Sequence, residues 1–312
     1  MESIGTPLLW SVFAVVVTVS LALDLFVFHR EAHEVDFKEG VIYTLLWIAV
    51  SLAFNVWIWL DAGSGPALEF LTGYVIEKSL SVDNIFVFLV IFDYFSVPSK
   101  YQHRVLFWGI LGAVVMRGLF VLLGVALIHR FEWVMFVFGG FLVFTGIRLF
   151  FREDAEMDPE HNPVVHWLEK HVPVTKRYDG QSFWTRVDGR IRATPLLLVL
   201  LVVELTDVVF AVDSIPAIFG VTRDPFLVFT SNIFAILGLR ALYFVLRGLV
   251  DRLEYLHYGL GGVLTFIGVK MLVERWVHVP VEWSLAVVVA LLTVAAAASW
   301  FRDPEASPPE RL

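Results

Sequence analysis

Cysteine is absent from all 312 residues, which excludes disulfides, thiolate metal ligands and cysteine nucleophiles and leaves the redox compartment open. Charge is also scarce. Asp, Glu, Lys and Arg make up 17% of the chain, against about 25% in a soluble domain. No basic patch is interleaved with aromatics, so a nucleic-acid partner is not expected. No G-x-x-x-x-G-K-[ST] loop is present, and the His29/His33 pair beside Glu34 has Arg30 where an H-E-x-x-H motif needs Glu. Gly63-Ser64-Gly65-Pro66 reads as turn punctuation and not as a nucleophile. The chain is therefore not expected to be an enzyme, and the missing ATP loop favours coupling to an ion gradient.

Apolar surface is abundant. Hydrophobic residues make up 58% of the chain, with 28 Phe, 11 Trp and a mean hydropathy of +0.76. A membrane-spanning helix needs about 20 mostly apolar residues. Nine segments qualify, near 7–28, 40–60, 67–92, 104–128, 132–151, 194–219, 226–246, 254–274 and 281–301. The first has no basic n-region or A-x-A-like cleavage site and reads as a retained span. The expected fold is an all-α integral membrane protein with about nine transmembrane helices, forming one polytopic domain over 1–301. The loop 152–193 is charged and rich in Pro and His, and the polar, Pro-rich tail 302–312 reads as disordered.

Orientation follows from the basic residues of alternate loops. One set, including Arg30, Lys38, Lys100, Arg104 and seven residues from Arg152 to Arg192, holds 15; the opposite set, Arg130, Arg223, Lys270 and Arg275, holds 4. The N-terminus is thus expected outside and the C-terminus in the cytoplasm, in keeping with an odd number of spans.

The chain repeats itself. Gly139-Gly140-Phe141-Leu142-Val143-Phe144-Thr145-Gly146-Ile147-Arg148 in the fifth segment matches Gly261-Gly262-Val263-Leu264-Thr265-Phe266-Ile267-Gly268-Val269-Lys270 in the eighth, with Glu132 and Glu254 at the same upstream offset. Segments four and seven share a mid-helix arginine, Arg117 and Arg240. Segments three and six share Glu77…Asp83-Asn84 and Asp207…Asp213-Ser214. Spans 3–5 and 6–8 thus read as duplicated triplets. Three being odd, the second crosses in the opposite sense, an inverted repeat of the kind that places a transport site at the repeat interface. Convergent packing of Gly-rich helices is the plainer explanation, but it does not account for agreement across three spans.

The same spans carry the chemistry. Glu77, Asp83, Glu204, Asp207 and Asp213 lie mid-segment, where each unpaired acid costs about 2.5–3.5 kcal/mol. Lys78, Arg117 and Arg240 are the only comparably central bases, and they leave two negative charges that one divalent cation, or protons, could neutralise. A salt-bridge network that merely fixes helix packing is the alternative. Glu77 shares a helical face with Asn84, and Asp207 with Ser214, whereas Asp83 and Asp213 are rotated from their upstream acids. Pro216, lacking an N–H, is expected to bend or break the sixth span. Oxygen ligands without thiolate or imidazole suit Mg²⁺, Ca²⁺ or Mn²⁺. The residues alone do not choose among these ions. Asp83, Asp207, Asp213, Glu77 and Glu204, with Asn84 and Ser214, form the expected metal-binding set, and Arg117, Arg240 and Lys78 the expected gating or charge-pairing set.

Glu77-Lys78-Ser79-Leu80-Ser81-Val82-Asp83-Asn84-Ile85-Phe86, Glu204-Leu205-Thr206-Asp207 and Ala211-Val212-Asp213-Ser214-Ile215-Pro216-Ala217-Ile218 resemble the TerC family of membrane proteins, and the likeness runs from the first span to the ninth. The family is named from tellurite resistance. The resemblance implies export of manganese from the cytoplasm, with Glu77, Asp83, Glu204, Asp207 and Asp213 matching the acids the family is thought to use. Members are also linked to supplying manganese to secreted proteins and, in plastids, to membrane-protein insertion. The expectation is a proton-coupled Mn²⁺ exporter of a bacterial cytoplasmic membrane. Its partners are divalent cations, protons and lipid, with no tightly bound cofactor. The rival is a non-transporting scaffold or chaperone that contacts other proteins through loop 152–193.

Overall fold

The computed structural model describes residues 3–26, 37–131, 133–151, 174–175, 177–187, 190–249 and 255–301. Glu132, Glu254, the His29/His33 pair, most of loop 152–193 and the tail 302–312 lie outside them. The helices are α1 (Pro7–Phe26), α2 (Phe37–Ala62), α3 (Ser64–Tyr94), α4 (Ser99–Arg130), α5 (Val134–Phe150), α6 (Pro195–Phe219), α7 (Pro225–Ile236), α8 (Leu239–Arg247), α9 (Leu256–Val273) and α10 (Val281–Trp300). A short antiparallel hairpin, β1 (Trp184–Val187) and β2 (Arg190–Ala193), precedes α6. Beside it the Tyr178 hydroxyl donates to the Phe95 carbonyl at 2.7 Å, tying the loop to the end of α3.

Each expected segment therefore holds one helix, or in the seventh a helix pair. Five helices, α2, α4, α6, α9 and α10, are long and apolar enough to cross a membrane, and α7 with α8 makes a sixth span bent by 42°. The apolar stretches of α1 and α5 are shorter. At 31 residues α3 has the length, but it carries Glu69, Glu77, Lys78 and Asp83. Large apolar side chains such as Leu60, Leu122, Phe144 and Val209 are exposed, which suits a chain whose outer face meets lipid.

The bend falls elsewhere than the sequence suggests. α6 runs unbroken through Pro216, because proline forfeits only one helical bond and the helix ends within a turn, at Phe219. The break lies between α7 and α8, where Gly238 adopts a left-handed conformation (φ +77°). A Cβ there would lie 2.6 Å from Trp47 Cδ1, so both the backbone and the space call for glycine. Pro225 and Asp224 start α7 firmly: the Asp224 carboxylate accepts from the Phe226 and Leu227 amides. It also accepts from Ser3 Oγ and the Ile4 amide, which fastens the N-terminal residues to this end.

Two parallel helix pairs surround the centre. Gly73 faces Ser231 and Glu77 meets Asn232, so α3 and α7 ascend together. Gly109 faces Val203 and Arg117 meets Asp207, so α4 and α6 do likewise. Against these lies the α5–α9 pair. Gly139 abuts Gly268 and Gly146 abuts Gly261, backbone to backbone, so these helices run antiparallel. Small residues are what permit such an approach.

Candidate functional site

Arg117 of α4 is wholly buried and holds the centre of the molecule together. Its Nη2 donates to Asp207 Oδ1 at 3.0 Å and its Nε to Asp207 Oδ2 at 3.3 Å, a two-pronged grip on the α6 carboxylate. Its Nη1 donates to Glu77 of α3 and, at 3.0 Å, to Asn232 Oδ1 of α7. Asn232 Nδ2 closes the ring by donating to Glu77 Oε2 at 3.2 Å. Four helices thus meet at one guanidinium. Glu77 and Asn232 are 0% exposed and Asp207 5%. Two buried carboxylates face one buried guanidinium, which leaves a formal charge of −1 on the set.

Around this ring the other candidates take separate places. Ser214 is buried beside Glu77 without meeting hydrogen-bond geometry. Asn84 is also buried. Asp213 accepts from Thr145 Oγ1 of α5 at 3.4 Å and lies within electrostatic reach of Asp83 and of Arg148. Glu204 fills the space where a side chain on Gly112 would stand, so α4 needs glycine there to admit it. Lys78 does not pair with the acids: its ammonium donates to the backbone at the end of α7. Arg240 is buried at the start of α8, just past the break and not mid-helix. Among the described residues no three His, Asp or Glu side chains converge as a metal-binding group. The physical reason at the centre is plain, since the Arg117 guanidinium stands where a cation shared by Glu77 and Asp207 would sit.

Asn232 is the site residue that sequence reasoning missed. Its signal was the polar run Thr230-Ser231-Asn232 inside an apolar segment, as costly in a membrane as a charge is if left unpaired. A small pocket lined by Phe88, Leu106, Ile110, Ile236 and Leu239 reaches this centre, and Asp207 is the one charged residue in its wall.

A buried Glu–Arg–Asp–Asn ring where four helices meet is a specific arrangement, and three of its helices include the segments that carried the family resemblance or its repeat. Residues 62–307 match the family described as Integral membrane protein TerC family. The chain belongs to the TerC family. This TerC protein is 50% identical over 304 residues to "Uncharacterized membrane protein STKORF319" of Myxococcus xanthus, covering 97% of this chain and 95% of the relative. It is 49% identical over 303 residues to "Putative membrane-bound redox modulator Alx" of Escherichia coli K12, covering 94% of each. It is 38% identical over 293 residues to an "Uncharacterized membrane protein" of Rickettsia bellii, covering 94% of this chain and 97% of the relative. No solved structure matches it. Like these relatives it is a multi-pass integral membrane protein.

Proposed function

We propose that this TerC protein is a secondary transporter, not an enzyme, that exports divalent metal cations, Mn²⁺ foremost, from the cytoplasm in exchange for protons. The observation that carries this reading is the pair of buried carboxylates, Glu77 and Asp207, held from opposite triplets by a single arginine. Two carboxylates neutralise one divalent cation, and Asn232 and Ser214 offer neutral oxygens beside Glu77, with Asn84 buried two turns further along α3, a donor set suited to a hard ion. Arg117 cannot lose its proton. It therefore acts as the resident counter-charge: cargo must displace it from Asp207 and Glu77, and its return expels cargo. Protons compete for the same carboxylates. Asp213 and Asp83 form a second acidic station, with Glu204 on the α4 side of α6. Among the described charged residues, Asp207 alone faces the small pocket, which we assign as the cytoplasmic approach.

We further infer an inverted repeat of spans 3–5 and 6–8 within a nine-span fold. The swapped pairings support it: α3 on α7 is the counterpart of α6 on α4, and Gly139–Gly268 is the counterpart of Gly261–Gly146. The N-terminus is placed outside and the C-terminus in the cytoplasm of a bacterial inner membrane, on the 15-to-4 basic bias. A reporter active only in the cytoplasm, fused after Arg302, should be active; silence there with activity from a periplasmic reporter would reverse the orientation.

The relatives named as redox modulators raise a second role. In this chain it cannot run through thiols, since cysteine is absent; a change in cellular metal would be its route. The deciding experiment is Mn²⁺ flux in proteoliposomes, with Ca²⁺ and Mg²⁺ as competitors and a pH dye inside. Glu77→Gln and Asp207→Asn are expected to lower flux by roughly 100-fold or more, beyond what second-shell changes give. Asp213→Asn and Asp83→Asn should also abolish it, and Asp213→Glu should impair it less. Normal flux from both Asp207→Asn and Asp213→Asn at normal abundance would leave the carboxylates structural and favour the scaffold acting through loop 152–193.

A further inference from the structure

Lys78 is adjacent to Glu77 yet takes no part in the acidic ring. Its Nζ crosses to the end of α7 and donates to the carbonyl oxygens of Ala235, at 3.1 Å, and Leu237, at 3.5 Å. Those oxygens exist as free acceptors because of the helix break. In an unbroken helix the Ala235 carbonyl would receive the Leu239 amide and the Leu237 carbonyl the Ala241 amide. Instead Gly238 turns left-handed, α8 starts afresh with the Leu242 amide on the Gly238 carbonyl, and among the described residues neither oxygen receives a backbone N–H. Carbonyls at the C-terminal end of a helix carry its negative pole. Inside a membrane protein, with little water to satisfy them, they are the kind of site that coordinates a small monovalent cation.

We propose that the Ala235 and Leu237 carbonyls at the α7/α8 break form a monovalent-cation site, and that the Lys78 ammonium is the cation built permanently into it. Three features argue for this over an incidental contact. The ammonium reaches two carbonyls at the end of α7, Ala235 within the helix and Leu237 at its cap, just before Gly238 turns the chain. No carboxylate pairs with it among the described residues, so the carbonyls are its partners and not a supplement to an ion pair. And α3, which carries it, packs parallel to α7, so the lysine stem runs directly across the pair's interface. A tethered ammonium makes the broken helix independent of dissolved Na⁺ or K⁺. It also links the break to the neighbouring Glu77, since both side chains leave the same turn of α3.

The proposal does not depend on metal export, because its test reads the melting of the full-length purified protein in detergent. Melting is followed by intrinsic tryptophan fluorescence in NaCl, KCl, ethylammonium chloride or choline chloride at equal ionic strength. The wild type is expected to melt at the same temperature in all four. Lys78→Ala should melt about 3–8 °C lower in choline, the scale expected for two buried acceptors left unpaired. It should recover at least half of that loss in Na⁺, K⁺ or ethylammonium, each small enough to enter where choline is not. Lys78→Gln keeps one neutral donor and should show a smaller loss with a smaller, still cation-selective recovery. If Lys78→Ala cannot be purified folded, Lys78→Gln carries the test. Equal melting of wild type and variants in choline, or a loss that no small cation reverses, overturns the site. A variant that melts with cation selectivity but moves no Mn²⁺ supports it whatever becomes of the transport reading.

Discussion

Arg117→Met is expected to lower the stability of the purified protein by about 3–5 kcal/mol, because it leaves Glu77 and Asp207 buried with no positive partner. Methionine fills most of the arginine stem, so the loss reports charge and hydrogen bonding and not a cavity. The companion triple variant Arg117→Met, Glu77→Gln, Asp207→Asn removes all three charges and should recover most of the loss, since replacing a buried ionic network by neutral groups of similar shape is often close to neutral. Asn232 can still bond to the new amides. Melting temperature and abundance in the membrane fraction are the measurements. If Arg117→Met melts with the wild type, the two acids are already neutral in the folded protein and the arginine is not their counter-charge. The triple variant separates stability from function: it should be well folded and inactive in metal flux.

The second large effect is expected in the α5–α9 pair. A Cβ on Gly268 would lie 2.6 Å from the Gly139 carbonyl oxygen and 2.8 Å from the Val143 amide nitrogen; one on Gly146 would lie 2.6 Å from the Gly261 carbonyl oxygen. These are backbone atoms, which cannot swing aside as a side chain can, so the helices must part. Gly268→Ala and Gly146→Ala are each expected to cost about 1–3 kcal/mol. The double variant should cost less than the two together, because helices already parted by one methyl accommodate the next. Gly140→Ala is the control. Nothing lies within 4 Å of its Cβ position, and the better helix former should leave stability unchanged or raise it by up to about 1 kcal/mol. Equal melting of Gly268→Ala and Gly140→Ala would mean that the two helices do not touch there.

Much of this was legible in the sequence, and the limits have physical causes. The nine apolar segments each contain helix because length and apolarity act locally, residue by residue. The Gly139/Gly261 and Gly146/Gly268 likeness was visible as a repeat, and the repeated glycines prove to touch one another. The buried acids were legible from their cost alone. Their partners were not. Counting five acids and three central bases gives the net charge but not that Arg117 takes both Glu77 and Asp207 while Lys78 takes carbonyls, since that depends on how each helix is rotated about its axis. Pro216 marks the expected break, but the break lies at Gly238. Proline signals a lost bond, but near a helix end the loss is slight, whereas a glycine deep in a span signals nothing until Trp47 and a positive φ are seen beside it.

The glycine contacts also limit how the molecule can move. Two helices that meet backbone to backbone at Gly139–Gly268 and again two turns away at Gly146–Gly261 resist sliding: a three-residue slip, about one turn, would set Leu142 or Leu264 in the space two glycines share. In the transport cycle proposed above, whatever displaces Arg117 would therefore leave α5 and α9 as a single plank. Any tilt of α3 with α7, or of α4 with α6, is a tilt relative to that plank, and Asp213, bonded to Thr145 on it, is the acid that would register the movement first.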